Sequence, residues 1–368
     1  MSTTRPQPHA DSWTLSGQVP IEDPLGNETE GAFSAPQKSY GVDFAVADLV
    51  DRLNAETIFV PPFQRDYVWS LEDASRFVES LLLNLPVPGI FLAREFEADR
   101  LLIIDGHQRL RSLQFFLNGT FGPTSEPFRL RGVQQRFEGK GYSDLSFRER
   151  KDLDTALIHA TIVHQEDPLG ANSSVYHIFE RLNTGGRELT GQEIRSALYH
   201  GELRKLLSDL NENEHWRAIF GPNDPRMRDQ ELILRFLALL FYRDEYAPPM
   251  KDFLNRYMAI NRNLTVQSAQ AIKSSFREPM ALVYDALGKN AFKPGDQINA
   301  AVFDSVMVGV ATALPNELPL DAEQVQRAYQ HLLKDNDYQA AYQQSTANKS
   351  SVETRLQRSI DAFSKTLS

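Results

Sequence analysis

The stretch LLIIDGHQRLRSLQFFLNG, residues 101–119, constrains the fold more than any other. Four apolar residues read as a buried strand, and Asp105-Gly106 reads as a tight turn. Leu110, Leu113 and Leu117 then recur at helical spacing, and Gly119 is a natural helix stop. The sequence therefore predicts a strand that passes through two residues into a helix whose first turn holds His107, Gln108 and Arg109. That turn carries partial positive charge and disfavours a cation. Arg109 needs a reason to be there. An anion bound at the helix start supplies one, because backbone N–H groups and a guanidinium together suit a phosphate. Gln108 would then position a water or a base edge, and Asp105 would hold Mg²⁺. The competing reading is internal: Asp105 caps the helix and Arg109 makes an ion pair.

The remaining signals place this junction in a mixed domain. Residues 1–39 are rich in Pro, Gly, Ser and acidic residues and read as a flexible arm. From 40 onward, YGVDFAVADLVDRLN reads as a strand leading to a helix. TIFVPPF is a strand stopped by Pro61-Pro62, and SLEDASRFVESLLLN is a helix capped by Ser70 with Asp73 three residues on. GIFLAREF and RLLIID form a plausible strand pair, and TALIHATIVHQ is a later strand. This predicts an α+β domain with a small sheet. From about 173 the pattern turns helical. SSVYHIFERLN places Val175, Ile178, Phe179 and Leu182 on one face. LTGQEIRSALYHGELRKLLSDLN opens with a Thr190/Glu193 capping pattern, and DQELILRFLALLFYRD is apolar nearly all round, as in the buried helix of a bundle. Further helices are expected at about 251–261, 265–288, 298–312 and 321–366.

Two other segments carry candidate chemistry. VPPFQRDYVWS, 60–70, offers Gln64, Arg65, Tyr67 and Trp69, either as a structural loop anchored by Trp69 or as a ligand-facing surface. ERLNTGGRELTGQEIR, 180–195, puts Asn183, Thr184, Gly185 and Gly186 at a helix exit where backbone can approach a ligand closely. Arg181, Arg187 and Arg195 surround it. Arg226 and Arg228 are weaker candidates that Asp224 or Asp229 can pair with.

Composition closes several routes. The chain of 368 residues has no cysteine, which removes disulfides, cysteine nucleophiles and thiolate zinc sites. A net charge of −10 argues against general coating of nucleic acid. Contact with DNA would need a local patch, and 129–151 is one: seven Lys/Arg against three Asp/Glu, locally +4. The plainer reading of that patch is a solvated loop and helix start. No apolar run approaches the length of a membrane span, and no signal-peptide core precedes the first elements, so a cytoplasmic location is expected and no membrane partner.

Taken together, VPPFQRDYVW, LPVPGIFL, IIDGHQRLRSL, IFERLNTGGRELTGQEIRSALYHG and RDQELILRFLALLFY resemble, in order, the N-terminal domain of GmrSD-type restriction proteins (domain of unknown function 262). The resemblance covers about 42–245. It implies a ParB/sulfiredoxin-like fold, a DGQQR nucleotide site and a role in bacterial defence against modified phage DNA, with nucleoside triphosphate hydrolysis coupled to DNA cleavage. By position, Asp105, Gly106, Gln108 and Arg109 match that motif, Gln64 and Arg65 match the first, and Asn183 to Gly186 the third. His107 stands where the family usually has Gln, which bears on base preference and rate. Sulfiredoxin chemistry needs a cysteine and is excluded. Many relatives continue into an HNH nuclease, yet beyond residue 246 the only histidine is His331, so no HNH site can be assembled there.

The expectation is therefore a ParB-like α+β domain at 40–170 and a helical domain at 171–368, with a nucleotide between them. Asp105, Gln108 and Arg109 would act on a nucleoside triphosphate with Mg²⁺ at Asp105. Gln64, Arg65, Gly106, His107, Asn183 to Gly186 and Arg195 would bind it. A separate nuclease or defence-system chain is the expected partner, and a homo-oligomer is compatible with the sequence. Two rivals share the same residues: a ParB-like module that binds or cleaves DNA, and a non-catalytic, nucleotide-controlled adaptor.

Overall fold

The computed structural model of the chain describes residues 21–22, 37–60, 67–94, 100–122, 124–165, 176, 178, 189–314 and 320–365. The chain divides into two units, one of residues 30–204 with 251–266, the other of 1–29, 205–250 and 267–368. The boundary expected at 170/171 and most of the 1–39 arm lie outside the described residues.

β1 (Ile21–Glu22) belongs to the second unit. In the first, β2 (Gln37–Ala45) runs straight into α1 (Val46–Asn54), and β3 (Ile58–Phe59) precedes α2 (Leu71–Leu82). β4 (Ile90–Arg94), β5 (Leu101–Asp105) and α3 (His107–Asn118) follow, then a small hairpin of β6 (Thr120–Phe121) and β7 (Glu126–Pro127). α4 (Phe147–Asp154), β8 (Leu157–Gln165) and the helix Gly191–Leu198 come after. Three of these helices start where their sequences place a reciprocal cap. Ser70 with Asp73, Ser146 with Glu149 and Thr190 with Glu193 each exchange side-chain and backbone hydrogen bonds.

The five-stranded sheet has the order β2-β8-β4-β5-β3. β2 and β8 are antiparallel, β8 and β4 parallel, β4 and β5 antiparallel, and β5 and β3 parallel. The C-terminal ends of β2, β3 and β5 therefore share one end of the sheet with the beginnings of β4 and β8. One face packs against α1, α2 and α3 through Phe44, Leu49, Phe77, Val78, Ile103, Leu110, Leu113 and Ile158. On the other face Ala93, Leu102, Ile104 and Val163 lie under Tyr176, Ile194 and Ala197. β5 is buried on both sides, which is why its sequence is a continuous apolar run rather than an alternating one.

The second unit is built of helices, among them 214–220, 228–242, 269–287, 300–313 and three more up to residue 365. The helix Ala300–Ala313 is buried nearly all round and packs against Arg228–Tyr242 and Lys349–Lys365. Gly309 permits that approach: a Cβ there would stand 2.5 Å from Ser359 Oγ. β1 pairs in parallel with β9 (Ile298–Asn299), so part of the N-terminal segment docks on this unit. Arg228–Tyr242 is the buried helix expected from its all-round apolar sequence.

The α+β expectation stands: a small mixed sheet with helices, then a mostly helical remainder. Two long helical stretches are shorter than expected. The 321–366 run is three helices, 322–332, 336–343 and 349–365. Asp335 caps the second by accepting from the Tyr338 N–H at 2.9 Å, and Ser345 takes a positive φ of 46° after it. The run beginning at Thr190 breaks around Gly201, where a Cβ would sit 2.6 Å from the Arg262 carbonyl oxygen. Among the described residues no helix is long and apolar enough to cross a membrane.

Candidate functional site

β5 carries Asp105 to the end of the sheet, and Gly106 turns the chain into α3. Gly106 has a φ of +99°, which favours glycine. Its surroundings demand glycine as well, since a Cβ would stand 2.5 Å from Ile90 Cγ2 at the start of β4.

Arg109, one turn into α3, reaches back across this junction. Its Nη2 donates to Asp105 Oδ2 at 2.6 Å, and its Nη1 donates to the carbonyl oxygens of Pro88 at 2.7 Å and Gly89 at 2.5 Å. The Arg109 side chain is 13% exposed and that of Asp105 46%. A carboxylate and two carbonyl dipoles thus offset the cation's unfavourable place at a helix start. A guanidinium has five N–H donors. Nε–H and one Nη2 hydrogen have no partner among the described residues, and neither has Asp105 Oδ1.

Gln108 is fully engaged at both ends of its amide. Its Oε1 accepts from the backbone N–H groups of Val68 and Trp69 at 3.0 and 3.1 Å. That fixes the amide orientation, so Nε2 is the donor toward His107 Nε2, 2.7 Å away. His107 therefore accepts at Nε2 and carries its proton on Nδ1, a neutral ring that adds no charge to the helix start. Gln108 acts here as a strut between α3 and the segment after β3. The strut is doubled nearby: Ser112 Oγ donates to the Gln108 carbonyl at 2.8 Å, and the Tyr67 hydroxyl donates to Ser112 Oγ at 2.7 Å. Burial pushes the Tyr67 phenol up to about 12. β3 and β5 are parallel, so the segment after β3 and the Asp105 turn leave the sheet at the same end. Gln64 and Arg65 themselves lie outside the described residues, as do Asn183, Thr184, Gly185, Gly186, Arg181 and Arg187.

Arg195 is buried in the helix Gly191–Leu198, which covers the face of the sheet opposite α3. Its Nε donates to Gln192 Oε1 at 3.0 Å, and its guanidinium lies 5.9 Å from the centre of the Tyr176 ring. Gly191 makes room for it, since a Cβ there would sit 3.0 Å from Arg195 Nη2. Arg228 is held by Asp224 through Nε and Nη2 at 2.8 and 2.5 Å, and Asp229 takes Arg217 at 3.0 Å.

A further polar pair stands at the same end of the sheet and was not singled out from the sequence. His159 on β8 and Asp43 on β2 face each other in register, with Nδ1 2.8 Å from Asp43 Oδ1. A histidine one residue into an apolar alternation gives no local signal of its partner 116 positions away.

The 129–151 segment is largely neutralised within the fold. Arg129 pairs with Asp144 at 2.8 Å, Lys140 with Glu149 at 3.3 Å, Arg131 with Glu72 at 3.8 Å and Arg148 with Asp152 at 3.9 Å. Arg136 lies over the Phe137 ring at 4.5 Å. Glu72 and Asp152 come from outside the segment, so its local excess of positive charge shrinks. Arg150 and Lys151 make no ion pair among the described residues. Nor do those residues contain a group of three or more His, Asp or Glu side chains placed to hold a metal.

Comparison with curated proteins gives no match. Residues 46–200 match the family described as the GmrSD restriction endonuclease N-terminal domain. That span begins with α1 and ends just past the helix Gly191–Leu198, so it takes in the Asp105–Arg109 turn, the Gln108 strut and Arg195. Over residues 46–200 the chain is thus similar to the GmrSD restriction endonuclease N-terminal domain family.

Proposed function

We propose that this chain binds a nucleoside triphosphate at the Asp105–Arg109 turn and hydrolyses it slowly, as a component of a restriction system directed at DNA. The observation that carries the reading is the turn itself. A carboxylate, a guanidinium with two N–H groups to spare and a helix start converge at one end of a sheet. Phosphoryl transfer asks mainly for positioning and charge neutralisation, which these groups supply. Mg²⁺ fits this donor set in one way. Asp105 Oδ1 would hold it while Oδ2 stays with Arg109, and the nucleotide's own phosphates and water would complete its shell. The ion would neutralise phosphate charge there. The link to restriction rests on the family of residues 46–200.

Gln64, Arg65 and Asn183 to Gly186 remain candidate contacts by motif, while Gln108 acts as a strut rather than as a water ligand. One observation favours the adaptor reading: most of Arg109's bonding capacity is spent inside the fold.

Calorimetry with the four common nucleoside triphosphates and Mg²⁺, with Asp105→Asn as the variant, tests the site. Binding that weakens at least about tenfold in the variant supports it, a loss of about 1.4 kcal/mol. Equal affinity would remove Asp105 from the site. Phosphate release that requires Mg²⁺ separates hydrolysis from the adaptor role.

A further inference from the structure

We infer that α4 presents a docking face for single-stranded DNA, with an unpaired base stacked on Phe147 and the flanking phosphates on Arg150 and Lys151. The choice of DNA rests on the restriction reading above, and the triphosphate site takes no part in it. Phe147 is the most exposed large apolar side chain among the described residues, at 78%. It is the first residue of α4. Arg150 and Lys151 follow it at i+3 and i+4, so the three share one face of the helix. Neither cation has an ion pair among the described residues.

The acidic groups of α4 are engaged elsewhere. Glu149 accepts from the Ser146 N–H at 2.7 Å and pairs with Lys140 at 3.3 Å. Asp152 pairs with Arg148 at 3.9 Å, and Asp154, two turns beyond Phe147, accepts from the Tyr142 hydroxyl at 2.8 Å. The pairing that neutralises most of 129–151 thus leaves two cations over, and both lie beside the exposed ring.

That ring adds little to the fold. Ser146 and Glu149 already cap the helix, and Leu153 makes its contact with the core. A single exposed apolar residue is ordinary. One that shares its helix face with two unpaired cations has the makeup of a stacking platform beside a phosphate track. In a duplex each base is covered by its neighbours, so such a ring takes a base from a single strand. An acidic peptide would satisfy the cations and leave the ring idle.

Fluorescence anisotropy of a labelled oligothymidylate, read across a salt series on the full chain, tests this face. Two phosphates neutralised on a single strand contribute about 1.4 to the slope of log affinity against log salt, so Arg150→Ala/Lys151→Ala should flatten the slope by about that much. Phe147→Ala should weaken binding about tenfold with the slope unchanged, and Phe147→Trp should restore it. Because the ring is exposed, urea midpoints of the Phe147 variants should match wild type. Arg129→Ala removes a cation that Asp144 already holds at 2.8 Å and should stay within about twofold of wild type. A duplex of the same length should bind more weakly and be indifferent to Phe147→Ala. Oligothymidylate binding that Phe147→Ala leaves at the wild-type level, or that Arg129→Ala weakens as much as the double variant does, overturns the inference. So does displacement of the oligothymidylate by polyglutamate of equal charge, which would assign the face to an acidic protein. Wild type that binds no oligothymidylate overturns it as well and leaves the triphosphate reading standing.

Discussion

Removing Arg109 should cost the fold more than it costs a surface arginine. In Arg109→Ala the carbonyls of Pro88 and Gly89 lose donors that sat 2.7 and 2.5 Å away, and Asp105 loses a 2.6 Å ion pair. Hydrogen bonds to a charged donor contribute about 1.5 kcal/mol each at the low end, so the two carbonyls account for about 3. Asp105 is half exposed and adds no more than about 1 kcal/mol. The expected loss is therefore about 3–4 kcal/mol, a large share of a stability of about 5–15. Arg109→Lys keeps the charge but not the fork, and should fall between the two. Urea unfolding gives the magnitude, and hydrogen exchange at Ile90–Arg94 and His107–Asn118 assigns it to this unit rather than to the helical one. A loss below about 1 kcal/mol, with an unchanged denaturant slope, would refute the internal anchoring and leave the guanidinium to a ligand. The same reasoning makes Asp105→Asn, and not Arg109→Ala, the variant of choice for binding.

Four further outcomes follow from the geometry. Gly106→Ala combines left-handed backbone strain with a Cβ 2.5 Å from Ile90 Cγ2, so urea unfolding should show a loss of about 2–4 kcal/mol, and a loss under about 1 would contradict the turn as described. His107→Gln can still accept from Gln108 Nε2 and should stay within about 1 kcal/mol of wild type, whereas His107→Ala should not. Asp304→Ala leaves Arg235 and Arg355 buried without the carboxylate between them, and should cost about 3–5 kcal/mol in the helical unit, read by thermal unfolding. The backbone N–H of Ser146 holds Glu149 below the usual carboxylate range, as the Ser70 hydroxyl holds Asp73 and the Gly141 N–H holds Asp144. The folded state then binds fewer protons than the unfolded one, so this stability is present above about pH 5 and lost as the pH falls through and below about 4; the urea midpoint should drop on acidification, less steeply in Glu149→Gln.

Much of the sheet-bearing unit is legible because its signals are local. Ser70, Ser146 and Thr190 cap their helices through residues three positions on, and such pairs can be read without knowing the fold. The strand-turn-helix of 101–119 is equally local. Other features are decided by distant packing. Gly201 breaks a helical run because the Arg262 carbonyl approaches it, and Ser345 turns the chain between two helices of like composition. Ala300–Ala313 is more deeply buried than the helix singled out as the apolar one, because its small residues admit neighbours that larger ones would hold off. Small side chains weaken a hydrophobicity reading while they strengthen packing.

The site divides along the same line. That Asp105, Gly106 and Arg109 belong together follows from three consecutive turns of logic in one short stretch: strand end, forced glycine, cation in the wrong place. What the cation binds first does not follow, because Pro88 and Gly89 reach it only through the pairing of β4 with β5. Gln108 likewise looks like a ligand group until Val68 and Trp69 fill its oxygen. Asp43 and His159 are invisible until β2 and β8 are in register. The residues that chemistry makes conspicuous are thus the ones most occupied in holding the sheet end together, and at this turn Asp105 Oδ1 and two N–H groups of Arg109 are left without a partner among the described residues. A ligand at this end would meet a surface whose charges are already fixed in place, so its binding would need little rearrangement of the protein, which is the condition under which a modest set of polar groups can still neutralise a phosphate.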